Sequence, residues 1–226
     1  KFSVPVDMCL DSRSNIAVLD AQQSAIQVFR ESGVFQFSLG MEGTKLGQIQ
    51  RGVALASDPN GRLFCLDDGR KKVLVFKDGR FDLELDCRSN GRLTGLSYDA
   101  YKDVLGIADL GKGVVQRLSL RTGKRTALVV PWRGTEPSMV GLMKLRESTM
   151  LRCDGRSRFV VVDRGGGSLA LYDAVTTPNN PGFIGRLGGA AFGDSLKVSA
   201  SPGGDLVTLD TSTRLVTRVD RRGWIN

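Results

Sequence analysis

Gly52-Val-Ala-Leu-Ala-Ser-Asp-Pro-Asn-Gly-Arg-Leu-Phe-Cys-Leu-Asp67, followed after four residues by Lys72-Val-Leu-Val-Phe76, holds the fold in miniature. Three apolar runs of four to six residues alternate with turn formers, first Asp58-Pro-Asn-Gly61 and then a polar stretch after Asp67. Runs this short, rich in β-branched and aromatic residues and bounded by Gly, Pro, Asn and Asp, read as strands of an antiparallel meander.

The pattern recurs. Second strands ending in aspartate stand at Ile16-Ala-Val-Leu-Asp20, Leu63-Phe-Cys-Leu-Asp67, Leu105-Gly-Ile-Ala-Asp109, Phe159-Val-Val-Val-Asp163 and Leu206-Val-Thr-Leu-Asp210, with the aspartates 47, 42, 54 and 47 residues apart. First strands are expected at Asp7–Leu10, Gly52–Ser57, Leu93–Tyr98, Met150–Cys153 and Leu196–Ser201, and third strands at Ile26–Phe29, Val73–Phe76, Val115–Leu120, Leu169–Tyr172 and Leu215–Val219. Fourth strands follow at Val34–Leu39, Phe81–Leu85, Thr126–Val130, Phe183–Leu187 and, truncated, Trp224–Asn226. Four antiparallel strands about every 45 residues are the signature of a propeller blade. The expectation is an all-β chain: a single domain over 1–226, a β-propeller of about five four-stranded blades at 1–40, 50–86, 92–130, 149–188 and 195–226. Pro131–Thr149 is the stretch where a further strand would hide.

Pro5-Val-Asp-Met-Cys-Leu-Asp-Ser-Arg-Ser-Asn-Ile-Ala-Val-Leu-Asp20 with Ala25-Ile-Gln-Val-Phe29, and its echo from Gly52 to Phe76, resemble NHL repeats; the likeness is clear in the first two modules and degraded in the last three. NHL propellers usually have six blades, against five counted here. A basic NHL-like propeller is similar to the C-terminal domains of tripartite-motif ubiquitin ligases. That resemblance implies RNA binding or recruitment of ubiquitination substrates, with the ligase chemistry on a RING domain absent from this sequence, and a role in innate antiviral defence.

The residue inventory narrows the chemistry independently. With 226 residues, 32 basic and 24 acidic side chains, the net charge is +8, and the chain contains no histidine. Serine–histidine and cysteine–histidine nucleophile pairs and imidazole-bound zinc are therefore excluded. Cys9, Cys65, Cys87 and Cys153 are scattered, with no C-x-x-C pair, and read as reduced thiols of a cytoplasmic protein. No metal or cofactor is expected, and no apolar run is long enough to span a bilayer. The start at Lys1-Phe2, without methionine, is that expected of a piece of a larger protein.

Three motifs invite over-reading. Gly106-Ile-Ala-Asp-Leu-Gly-Lys112 matches a phosphate-loop spacing, but Gly113 follows where Ser or Thr is required, and its first residues belong to a repeat strand. Gly193-Asp-Ser-Leu196 lacks the histidine that would activate Ser195. Gly165-Gly-Gly167 reads as a turn rather than an anion nest. The five strand-end aspartates read as turn caps, since a catalytic carboxylate pair would not repeat in every blade. A carboxylate-based hydrolase would need acids on the innermost first strands, which offer mainly Asp7.

Charge placement supplies the candidate site. Loops after the second strands and the inter-blade linkers share one face of a meander, and there basic residues outnumber loop acids thirteen to five. Counting the strand-end aspartates equalises the two faces, so the asymmetry depends on those carboxylates turning into their own turns. Of the 32 basic residues 22 are arginine, suited to bidentate phosphate contact. The candidate nucleic-acid-binding set is Arg51, Arg70, Lys71, Lys72, Arg92, Lys112, Trp132, Arg133, Arg164 and Arg214, with Arg70-Lys71-Lys72 the densest cluster and Trp132 a stacking surface for an unpaired base. Expected partners are nucleic acid, RNA before DNA, or an acidic protein. A protein-interaction module remains the alternative, because phosphates and acidic proteins respond to the same field.

Overall fold

The computed structural model describes residues 1–112, 114–129, 150–153, 158–163, 168–173, 183–188, 196–200, 206–210 and 213–219. Among them every regular element is a strand. The first sheet is β1 (Pro5–Leu10), β2 (Ile16–Asp20), β3 (Ala25–Phe29) and β4 (Phe35–Leu39), and the second is β5 (Gly52–Ser57), β6 (Arg62–Asp67), β7 (Lys72–Lys77) and β8 (Arg80–Asp86). The third sheet is β9 (Leu93–Asp99), β10 (Val104–Asp109), β11 (Val114–Ser119) and β12 (Arg125–Val129), and the fourth is β13 (Met150–Cys153), β14 (Arg158–Asp163), β15 (Ser168–Asp173) and β16 (Phe183–Gly188). A fifth sheet has three strands, β17 (Leu196–Ala200), β18 (Leu206–Asp210) and β19 (Leu215–Val219).

Every sheet is an antiparallel meander with its strands in sequence order. Four of the expected blades are thus complete; the fourth strand expected at Trp224–Asn226 lies outside the described residues, as does Pro131–Thr149. Gly106 lies within β10, and Asp109 accepts from Lys112 N–H at 3.1 Å, so the phosphate-loop look-alike is strand and turn. Gly165–Gly167 and Gly193–Ser195 lie outside the described residues. The chain divides into two compact units, Lys1–Tyr98 and Asp99–Asn226.

The recurring aspartates explain why each meander holds. Asp20 Oδ2 accepts from Ser3 N–H at 2.6 Å, and Oδ1 accepts from Val4, Gln22 and Gln23 N–H at 3.1 Å each. Asp67 repeats this one module later, accepting from Gln50 N–H at 2.8 Å, Arg51 N–H at 3.0 Å and Arg70 N–H at 3.1 Å. In both modules the upstream donors stand 17 and 16 residues before the carboxylate. Asp109 and Asp210 keep the donor three residues on, Lys112 and Thr213. One buried carboxylate therefore closes the loop after the second strand and, in the first two sheets, also anchors the lead-in to the first strand. Burial pushes the Asp20 carboxyl up, yet its four N–H donors more than offset this and hold it below the ordinary carboxylate value.

A second series caps the other end of the hairpins. Asp11 Oδ1 accepts from Arg13 and Asn15 N–H, and Asp58 Oδ1 from Asn60 and Arg62 N–H. Asp7, the main acid of the first strands, accepts from Leu55 N–H at 2.9 Å and stitches β1 to the second sheet.

Packing follows from strand alternation. In the first sheet the rows Asp7–Leu19–Ile26–Leu39 and Cys9–Ala17–Val28–Phe37 share one face. Ala17, Leu19, Ile26, Val28 and Leu39 from that face meet Leu55, Leu63, Cys65, Leu74 and Phe76 of the second sheet, with Ile49 of the connector closing the core. Leu19 and Ile49 are fully buried, and truncating either to alanine costs about 2–5 kcal/mol.

Candidate functional site

The loop after β6 carries the densest basic cluster, and its geometry is set from beneath. With Asp67 fixing Arg70 N–H, Lys71 takes a left-handed conformation at φ 56°. Its Nζ then reaches Asp68 Oδ1 at 2.5 Å. Asp68 also accepts from Leu93 N–H at 2.7 Å and pairs with Arg51. Burial raises the Asp68 carboxyl, but Lys71, the Leu93 N–H and Arg51 overcome it and hold the group below its ordinary range.

Glu84, on the neighbouring β8, takes the other two cations. Arg70 Nη2 lies 2.5 Å from Glu84 Oε1 and Lys72 Nζ 3.4 Å from Oε2. The side chains of Arg70 and Glu84 are only 10% and 7% exposed, and Arg70 also donates to Gln48 O at 2.9 Å. Arg51, Arg70, Lys71 and Lys72 therefore do come together, arranged around two buried carboxylates, with Arg51 still 63% exposed and Arg70 largely buried. Arg92, Lys112 and Arg214 are exposed on loops of their own, whereas Trp132, Arg133 and Arg164 lie outside the described residues. Of the strand-end aspartates, Asp20, Asp67, Asp109 and Asp210 are buried within their turns. Cys9, Cys65 and Cys87 are free thiols, and no cluster of potential metal ligands occurs among the described residues.

A different surface escaped the charge-based reading. On the face of the first sheet turned away from its core, Leu10, Ile16, Phe29 and Phe35 form one cross-strand row and Met8 lies in the next. Phe2 packs edge-on against Phe29 at 5.5 Å, and Phe29 against Phe35 at 5.7 Å. Met8, Leu10 and Phe35 are nevertheless 57%, 56% and 52% exposed. Alternation within Pro5–Leu10 put Met8 and Leu10 on one side, and that was the available signal. Nothing local to the sequence indicates that Met8, Leu10 and Phe35 stay exposed there, while Val18 and Gln27 on the same side are buried.

Meanders of this kind, stacked through apolar faces, have many counterparts of known structure. The chain superposes on a catalytically inactive histidine-to-alanine variant of virginiamycin B lyase from Staphylococcus aureus bound to quinupristin, with a TM-score of 0.63 at 11% identity over 97% of this chain and 67% of that one. The fold is a β-propeller. A streptogramin B lyase gives a TM-score of 0.63 at 12% identity, covering 97% of this chain and 69% of its own. A Bacteroides thetaiotaomicron protein of unknown function gives 0.63 at 12% identity, over 96% and 58%. The propeller described here thus spans about two-thirds of the lyase chains and 58% of the third. No protein-family model matches the chain, for NHL repeats or any other family, and no curated sequence matches it.

Proposed function

We propose that this propeller is a non-catalytic recognition module whose partner is a protein, docked on the exposed Met8, Leu10 and Phe35 of the first sheet. The observation that carries this reading is the Phe2–Phe29–Phe35 ladder flanked by exposed Met8 and Leu10, an apolar patch of the kind that marks interaction surfaces. The net charge of +8 favours an acidic partner and speeds encounter with it. Recruitment of a ubiquitination substrate, the role implied by the likeness to tripartite-motif ligases, is the form of recognition we favour. Absence of catalysis is supported by composition: in the lyase of similar fold, replacing one histidine by alanine gives an inactive protein, and this chain has no histidine at all.

Nucleic-acid binding is less well supported, because Asp68 and Glu84 already engage Arg51, Arg70, Lys71 and Lys72. The test compares proteins cross-linked to the intact chain with those cross-linked to a Met8→Glu, Phe35→Glu variant of verified fold. We expect capture of an acidic protein that is lost in the variant and unaffected by nuclease. RNA binding that falls steeply with salt, together with capture abolished by nuclease, would overturn this reading in favour of nucleic acid.

A further inference from the structure

Between the first two sheets, at the end carrying the β1–β2 and β7–β8 turns, lies a cleft of about 140 Å³. Its floor is apolar: Ala17, Val28, Leu39, Leu63 and Phe76, all less than a tenth exposed. A dry apolar cavity of about 150 Å³ accommodates a benzene-sized group, so this floor takes one aliphatic or small aromatic side chain. Three charged residues line it: Arg13 and Asp78 face each other at the mouth, and Asp11 has its oxygens taken by the Arg13 and Asn15 N–H groups and by Asn15 Nδ2. Arg13 Nη2 and Asp78 Oδ1 stand 3.5 Å apart, one from each sheet, with side chains 76% and 68% exposed.

Both charges sit on turns that are already fixed. Asp11 holds the Arg13 N–H at 2.8 Å, and Asp78-Gly79 forms a tight hairpin turn with φ values of 49° and 75°. A surface pair at this distance and exposure contributes little to stability, so a ligand that opens it meets small resistance. An exposed guanidinium and an exposed carboxylate on fixed turns, together with an apolar floor, complement the last residue of a peptide. Its α-carboxylate pairs with Arg13, its own N–H donates to Asp78, and its side chain fills the cleft.

We propose that this cleft captures the C-terminal residue of a partner polypeptide, with an apolar side chain of leucine or methionine size. The inference rests on the protein-recognition reading above and supplies it with a second, sequence-reading contact.

The test titrates the methyl-labelled full chain, followed by NMR, with acetyl-Gly-Ser-Gly-Gly-Leu as the free acid, the same peptide as its amide, and a free acid ending in glycine. Saturable shifts at Val28, Leu39 and Leu63 methyls are expected for the leucine acid, with about tenfold weaker binding of the amide because one charge-assisted contact is lost. No cleft shifts are expected for the glycine peptide. Arg13→Gln, on an exposed side chain, should leave the remaining spectrum unchanged and erase the difference between acid and amide. Absence of cleft shifts, equal response to acid and amide, or an unaltered preference in Arg13→Gln would overturn the proposal. If partner capture is lost in the Met8→Glu, Phe35→Glu variant while the peptides leave the cleft untouched, the cleft proposal alone falls. If the peptides bind as expected but capture survives in that variant, the docking-face reading falls instead.

Discussion

Replacing Asp67 by asparagine tests the repeated aspartate clamp with the least change of shape. The residue has no exposed surface, and its two oxygens serve three main-chain donors, Gln50 N–H at 2.8 Å on Oδ2 and Arg51 and Arg70 N–H at 3.0 and 3.1 Å on Oδ1. Asparagine keeps one oxygen and presents an NH₂ where the other stood. With the retained oxygen toward Arg51 and Arg70, the Gln50 N–H faces a second donor; the opposite rotamer leaves two donors unmatched. A hydrogen bond to a charged acceptor contributes about 1.5–3 kcal/mol and an unsatisfied buried donor costs about 1–3 kcal/mol, so the expected loss is about 3 kcal/mol. At a urea m-value of roughly 2 kcal/mol/M this moves the unfolding midpoint down by about 1.5 M, readily followed by circular dichroism. Asp86→Asn is the matched control: Asp86 is exposed and accepts from Arg88 N–H at 2.6 Å, and a change there should stay within about 1 kcal/mol. A midpoint for Asp67→Asn no lower than for Asp86→Asn would refute the clamp as a source of stability.

Acid should unfold the protein through the same groups. Asp20 and Asp68 sit below the ordinary carboxylate range, so each stabilises the fold above the unfolded-state value of about 4 and loses that contribution as pH falls through its lower folded value. Urea midpoints measured between about pH 6 and pH 2.5 should therefore fall with acid, and Asp68→Asn should flatten the slope. Glu84→Gln leaves the nearly buried Arg70 without its counter-charge and should cost about 3 kcal/mol, whereas Arg70→Met with Glu84→Leu should recover most of that loss. Cys65 is fully buried, and burial with nearby Asp67 and Asp7 pushes its thiol well up. In the native protein it should resist a thiol-exchange reagent that labels half-buried Cys9, as read by peptide mass spectrometry.

The strands and the aspartates were legible because both are local. Period-2 patterning placed β5, β13 and β19 at their observed bounds, and an aspartate ending a strand before a turn has few roles besides capping it. Pairing of the basic cluster was not legible. Whether Glu84 meets Arg70 depends on the β7–β8 register, Leu74 opposite Glu84, and on the irregularity between Val75 and Phe76, neither of which is encoded at those two positions. The same holds for the cleft. Arg13 and Asp78 are 65 residues apart and looked like unrelated surface charges until the two sheets brought their turns together. The exposure of Met8, Leu10 and Phe35 depends on tertiary packing, which no pattern within Pro5–Leu10 specifies.

Because Asp20 and Asp67 each reach back only 17 residues, their closures are finished inside one repeat and owe nothing to the neighbouring repeat. A genetic event that duplicates or deletes one such whole repeat therefore leaves the other's closure intact, and only the apolar seams between repeats need refitting. Blade number can then change while the repeat itself stays recognisable.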